Sequence, residues 1–165
     1  MELSTLSLKE IGDALRKKTV SAREITKAFL ERINRFNPEL NAFVTVAEEP
    51  ALAAADEADR RLARGGRVTP LTGIPVAVAD TICTKGIKTT CASRMLANFV
   101  PPYDATVVAR LQEAGAVVIG KTNSDEFGAG TTTGYSAAGP VRNPWEKSRE
   151  PGGDGGAVAV AAGLA

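Results

Sequence analysis

Histidine is absent from this chain, which removes Ser-His-Asp and Cys-His catalysis and His-ligated zinc before any motif is read. Cysteine is scarce. Cys83 and Cys91 cannot form a four-cysteine zinc site, and in a reducing compartment such a pair reads as free, partly buried thiols. An excess of either charge is also missing. Twenty basic residues against nineteen acidic ones leave a net charge of +1, so no global field steers the protein onto nucleic acid or an anionic membrane, and no direct nucleic-acid partner is expected. No apolar run reaches the roughly 18 to 20 residues that span a bilayer. The opening "MELSTLSLKE" lacks a basic segment followed by an apolar one, so the expected location is cytoplasmic.

What remains is ordinary globular composition, 44% hydrophobic and 24% charged over 165 residues, which predicts a single domain over residues 1–165. "SLKE" from Ser7 and "SARE" from Ser21 are capping boxes, each expected to open a helix. The second helix sets Ile25, Phe29, Ile33 and Phe36 on one face and is expected to end at "NPEL", Asn37 to Leu40. "NAFVTV" reads as a short strand, and Pro50 suits the first turn of an alanine-rich helix running to the stop at Gly65 and Gly66. Residues 1–66 thus form a helical part.

From residue 67 the texture becomes that of a sheet. "GIPVAVAD" from Gly73 is a short apolar strand between turn residues. Asp104 is placed to cap a helix whose Val107, Val108 and Leu111 face inward, and Gly115 ends it before the buried strand "AVVIG". Strand, helix and strand predict an α/β fold in which N-terminal helices precede part of a mixed, largely parallel sheet. The stretch from Thr122 to Arg149 reads as long loops with at most one short helix.

"PGGDGGAVAVAAGLA", from Pro151, poses the functional question. It lacks the Gly-Lys-Ser/Thr ending of a phosphate loop, and no strand directly precedes its glycines. Three other stretches decide the reading: "LTGIPVAVADTICTKGIKTTCASRML", "NFVPPYDATVVARLQEAGAVVIGKTNSDEF" and "RNPWEKSREPGG". With "RINRFNPELNAFVT" upstream, they resemble the amidase signature family, and within it the A-subunit branch of the tRNA-dependent amidotransferases. The resemblance covers nearly all of this chain and about the first third of a typical family member. It implies amide hydrolysis by a Ser-Ser-Lys triad: a lysine base, a relay serine in a strained peptide and a nucleophilic serine. It further implies glutamine as substrate, no cofactor, and amidotransferase B and C subunits as partners, one of which activates mischarged tRNA.

The family pattern Gly-Ile-Pro-x-x-x-Lys-Asp reads here Gly73-Ile74-Pro75-Val76-Ala77-Val78-Ala79-Asp80, so alanine stands in the base's place. The family's Gly-Gly-Ser-Ser-Gly-Gly-Ser loop is shorter here, and Asp154 takes the relay position between Gly152-Gly153 and Gly155-Gly156. The nucleophile is expected in a later segment, beyond Ala165. Ala129, Thr131 and Thr132 stand where the family's substrate loop carries methionine and paired serines, and with Gly152 and Gly153 they are the candidate binding positions.

Other chemistry-bearing residues read as framework. Lys85 and Lys88 flank a turn, whereas Lys121 follows a buried strand at its C-terminal end, where sites of parallel sheets gather. Ser93, Ser124 and Ser136 read as turn residues, Asp154 as a solvated loop carboxylate, and neither cysteine has a histidine partner. The expectation is a truncated A-subunit-like chain without hydrolytic activity. The alternatives are a regulatory pseudoenzyme docking onto amidotransferase subunits, or an engineered scaffold. "AVAVAAGLA" is apolar on all sides, so self-association through this C-terminal segment is also expected.

Overall fold

The computed structural model describes residues 6–65, 68–152 and 154–165. Gly66, expected to stop a helix, and Gly153, a candidate binding position, lie outside them. Three helices and a strand come first: α1 (Leu8–Arg16), α2 (Ala22–Leu40), β1 (Phe43–Val46) and α3 (Glu48–Ala63). Then follow β2 (Pro75–Ala79), α4 (Thr106–Glu113), β3 (Val117–Thr122) and α5 (Gly155–Ala161).

Both capping boxes form. Ser7 caps α1 and Ser21 caps α2, with Glu10 and Glu24 closing back onto the serine backbone. The start of α2 has a second acceptor that local sequence does not reveal. The Asp59 carboxylate on α3 accepts from the backbone N–H groups of Ala22 at 2.7 Å and Arg23 at 3.1 Å. With α2 anchored this way, Ser21→Ala should cost about 1 kcal/mol. Urea denaturation checks it: an unchanged midpoint would show that Asp59 alone suffices as cap. The Ser21 backbone N–H, and after it the hydroxyl, holds the Glu24 carboxyl below its ordinary range. This favourable contribution is present above the unfolded pKa and is lost as pH falls through the folded one.

Helix α2 ends within "NPEL" as expected: it runs through Pro38 to Leu40, and Asn41 closes it in the left-handed region with φ 53°. Proline forfeits one helical bond there, while its fixed φ remains helical. The turn is set instead by the Asn37 side chain, which accepts from Phe43 N at 2.7 Å and donates to Phe43 O at 2.9 Å. One boundary differs from expectation, at α4, whose N-cap is Ala105. Asp104 accepts from Lys85 N at 2.7 Å, so its carboxylate is committed to another loop. Val107 is 49% exposed, and only Val108 of α4 is fully buried.

The sheet order is β1-β3-β2, with β1 antiparallel and β2 parallel to the central β3. All six residues of β3 are buried, as its place in the middle demands. One face packs on α2, α3 and α5 through Ile25, Phe29, Ile33, Ala55, Ile119 and Val158. The other packs on α4 through Val78, Ile87, Val108 and Val118. Ala51, Ala55 and Ala58 put small side chains along the buried face of α3, which allows close approach. Among the described residues no helix is long and apolar enough to cross a membrane.

Candidate functional site

Strand β3 ends in Lys121 and Thr122, and the chain continues through Asn123, Ser124 and Asp125, a run of polar residues that are all buried. Burying so many polar groups is tolerable only if each finds partners. Their partners are the loops around the C-terminal ends of β2 and β3.

Lys121 is fully buried. Its Nζ donates to the carbonyl of Ile82, to Thr84 Oγ1 at 3.1 Å and to Thr89 Oγ1 at 3.0 Å. Both threonine hydroxyl protons are spent elsewhere, on Ile82 O at 3.2 Å and Ile87 O at 3.1 Å. Their oxygens can therefore only accept, and the three bonds require an ammonium. Burial lowers the Lys121 pKa, with Asp80 and the two thiols opposing the shift. This lysine is a staple for the loop after β2.

Asp80 organises the next part of that loop. Its Oδ2 accepts from the Thr90 hydroxyl, from Thr90 N at 3.0 Å and from Ala92 N at 3.2 Å, while the buried Oδ1 has no hydrogen-bond partner among the described residues. The turn so held places Cys91 and Ala92 in the left-handed region, with φ 52° and 50°, an uncommon conformation for side-chain-bearing residues. Burial, and then the Asp80 charge, push the Cys91 thiol up, against any role as a reactive thiolate. The Cys91 and Ala92 carbonyls accept from Phe127 N and Ala137 N at 2.8 Å each. Ser93 Oγ donates to Glu126 Oε1 at 2.6 Å, clasping the loop after β3.

Asn123 ties three segments together. Its Nδ2 donates to Asn41 O at 3.1 Å and Gly139 O at 2.9 Å, and its Oδ1 accepts from Ser136 Oγ at 2.6 Å. Ser93 and Ser136 thus serve as loop ties, and Ser124 Oγ donates to Asp125 O at 3.1 Å. Lys85 and Lys88 are exposed. Sequence reasoning assigns no organising role to Asp80, Asn123 or Asp125. The available signal is an unbroken polar run directly after an apolar strand.

The register of β2 on β3 decides which groups can meet. Val78 lies beside Lys121 and Ala79 beside Thr122, with Ile119 bulged out between the pairings of Val118 and Gly120. Cross-strand neighbours share a face. Lys121 thus belongs with Val78 on the α4 face, whereas Ala79 and Thr122 face α5, so Lys121 cannot substitute for a base at position 79. A Cβ on Gly156 would lie 3.7 Å from Thr122 Oγ1, which puts the start of α5 against this same pair. Asp154 is no free loop carboxylate: it caps α5, its Oδ1 accepting from Gly156 N at 2.8 Å and Ala157 N at 3.3 Å. The structure therefore brings Ala79 and the Asp154 turn to the same side, with Thr122 between them.

The other predicted positions are at the surface. Ala129, Thr131 and Gly152 are exposed, and Thr132 is half-buried. Among the described residues, no candidate position lines the cavity of about 1110 Å³ between α1, α2, β2 and α5, although Ala77 and Gly156 border it. Among the described residues, no group of three or more His, Cys, Asp or Glu side chains is placed to hold a metal ion.

A helix-flanked mixed sheet with its loops gathered at one strand end agrees with the matches to known proteins. The model of the amidase family matches residues 24–165, and the chain belongs to the amidase signature family. The glutamyl-tRNA(Gln) amidotransferase A subunit of Geobacter metallireducens is 55% identical over 164 residues, covering 98% of this chain and 34% of its own length. The crystal structure of the Thermotoga maritima protein of the same name superposes with a TM-score of 0.80 at 36% identity, over 99% of this chain and 33% of that one. A chain from a vestigial protein complex tied to the origins of an s-triazine catabolic enzyme superposes at 0.91, with 36% identity, over 96% and 35% of the two chains. This chain therefore spans about a third of the length of the curated relatives it matches.

Proposed function

We propose that this chain is a non-hydrolysing member of the A-subunit branch, which keeps the scaffold and docks onto amidotransferase B and C subunits without releasing ammonia from glutamine. The observation that carries this reading is the shared face of Ala79 and the Asp154 turn. A methyl group cannot take a proton, and Asp154, whose Oδ1 caps α5, carries no hydroxyl to relay one. An amide-hydrolysing relay needs a lowered-pKa base in contact with a hydroxyl, and neither position supplies one. Ala129, Thr131 and Gly152 then act as surface positions, and the expected setting is cytoplasmic, without direct contact to nucleic acid.

The test of docking is co-elution of the purified chain with the B and C subunits of Geobacter metallireducens in size-exclusion chromatography. A stable complex is expected. Separate elution at micromolar concentrations of each component would contradict the docking role.

Self-association belongs to the same reading. Val160 of α5 is 69% exposed, and β2 is an edge strand bordering the 1110 Å³ cavity. Open sheet edges and apolar patches recruit partners. Light scattering should give a mass above 17.2 kDa at high concentration. Val160→Asp should lower it, and a monomer throughout would refute this part.

A further inference from the structure

The loop from Glu126 to Ser136 follows β3, carries Ala129, Thr131 and Thr132, and is mostly exposed, yet its path is defined. At its root is Asp125, 4% exposed. Its carboxylate faces back into the loop, where Oδ2 accepts from Thr132 N at 3.1 Å and Thr133 N at 2.9 Å, and Oδ1 accepts from Tyr135 N at 3.0 Å. Gly130 closes over the same oxygen: a Cβ there would lie 2.3 Å from Oδ2. Thr133, in the left-handed region at φ 58°, then turns its hydroxyl to accept from Val141 N at 2.8 Å, carrying the order into the next loop.

We propose that Asp125 is the positioning residue of this loop, a buried carboxylate around which residues 126–136 are wound, and that it acts in its ionised form. It goes beyond the function proposed for the chain and stands on the loop's own geometry; the loop bears the positions that the family resemblance assigns to substrate. The charge is essential because all three ligands are donors. An ionised carboxylate offers acceptors on both oxygens, whereas a protonated acid or an amide turns a donor toward at least one N–H. No charged side chain supplies the effect. Glu126, the adjacent charged residue, is engaged with Ser93, and no ion pair among the described residues includes Asp125. The Tyr135 amide first, with those of Thr133 and Thr132, holds the Asp125 carboxyl below its ordinary range, against burial.

The experiment is an acid titration of the whole chain by amide NMR, with hydrogen exchange on the wild type, Asp125→Asn and Gly130→Ala. In the wild type the amide protons of Thr132, Thr133 and Tyr135 should shift together with one midpoint, lying below the usual carboxylate range. Asp125→Asn should abolish that common titration and speed exchange at these amides by about a hundredfold at neutral pH, while Val117 to Ile119 keep their protection. Gly130→Ala leaves the carboxylate in place but crowds it, and should speed exchange at the same amides. Independent midpoints in the wild type, or unchanged exchange in Asp125→Asn, would overturn the proposal. If Asp125→Asn fails to fold, the wild-type titration and Gly130→Ala still decide. No amidotransferase partner takes part, so failure of docking and failure of this loop assignment are read separately.

Discussion

Lys121→Met should lower the unfolding free energy by about 3 kcal/mol, because it strands buried acceptors and leaves Asp80 buried without its nearby cation. Methionine fills much of the space of the lysine stem, so the loss reports the ammonium and not a cavity. The wild-type contacts are the Ile82 carbonyl and the Thr84 and Thr89 hydroxyls, whose own protons are already committed. Equilibrium denaturation with an unchanged m-value measures the loss, and a change below about 1 kcal/mol would contradict the staple role. A pH dependence accompanies it. Burial depresses the folded pKa below the ordinary 10.5, so the unfolded chain holds its proton to higher pH. This group's contribution to stability therefore rises with pH between the two values, and that rise should vanish in the methionine variant.

Gly155→Ala is the second large effect. The added Cβ would fall 2.1 Å from the Ala42 carbonyl oxygen and 2.8 Å from Asn123 N, both backbone atoms that cannot swing away. Gly155 N also donates to Asn123 O at 2.7 Å, so the clash breaks the seat of α5 on β3. A loss of about 3 kcal/mol, or roughly 6 to 12 °C in melting temperature for a chain of this size, is expected. The neighbouring Gly156→Ala is the contrast. Its Cβ would crowd the movable Asp154 carboxylate at 2.9 Å and meet Thr122 Oγ1 at an ordinary 3.7 Å, and it should melt within a few degrees of wild type. Equal melting temperatures for the two variants would show that α5 is not seated as described.

Much of the fold is legible because its signals are local. Capping boxes act over four residues, the apolar run of β3 declares a buried strand, and Gly115 at φ 86° stops α4 as its position implies. What escapes the sequence depends on distant partners. The turn after α2 is held by Asn37 reaching Phe43, and Asp104 leaves α4 uncapped because it is drawn to Lys85. The site shows the same division. Motif resemblance points to Ala79 and Asp154 as the family's base and relay positions, but strict alternation along β3 would set Lys121 on the face of Val117 and Ile119. The bulge at Ile119 reverses that and separates Lys121 from Ala79. Asn123 and Asp125 escape notice because an Asn or Asp after a strand usually marks a solvated turn, and their burial becomes visible only when the loops close over them.

The claim that Ala79 and the Asp154 loop deprive the scaffold of amide hydrolysis is tested most directly in a full-length background. The first 165 residues of an active, full-length amidotransferase A subunit would be replaced by this chain, and ammonia release from glutamine measured with B and C subunits present. The account predicts no release above background. Release should return only when Ala79→Lys is combined with restoration of the family's serine-containing loop between Pro151 and Ala157. Ammonia release by the unmodified chimera, or full recovery with Ala79→Lys alone, would contradict it.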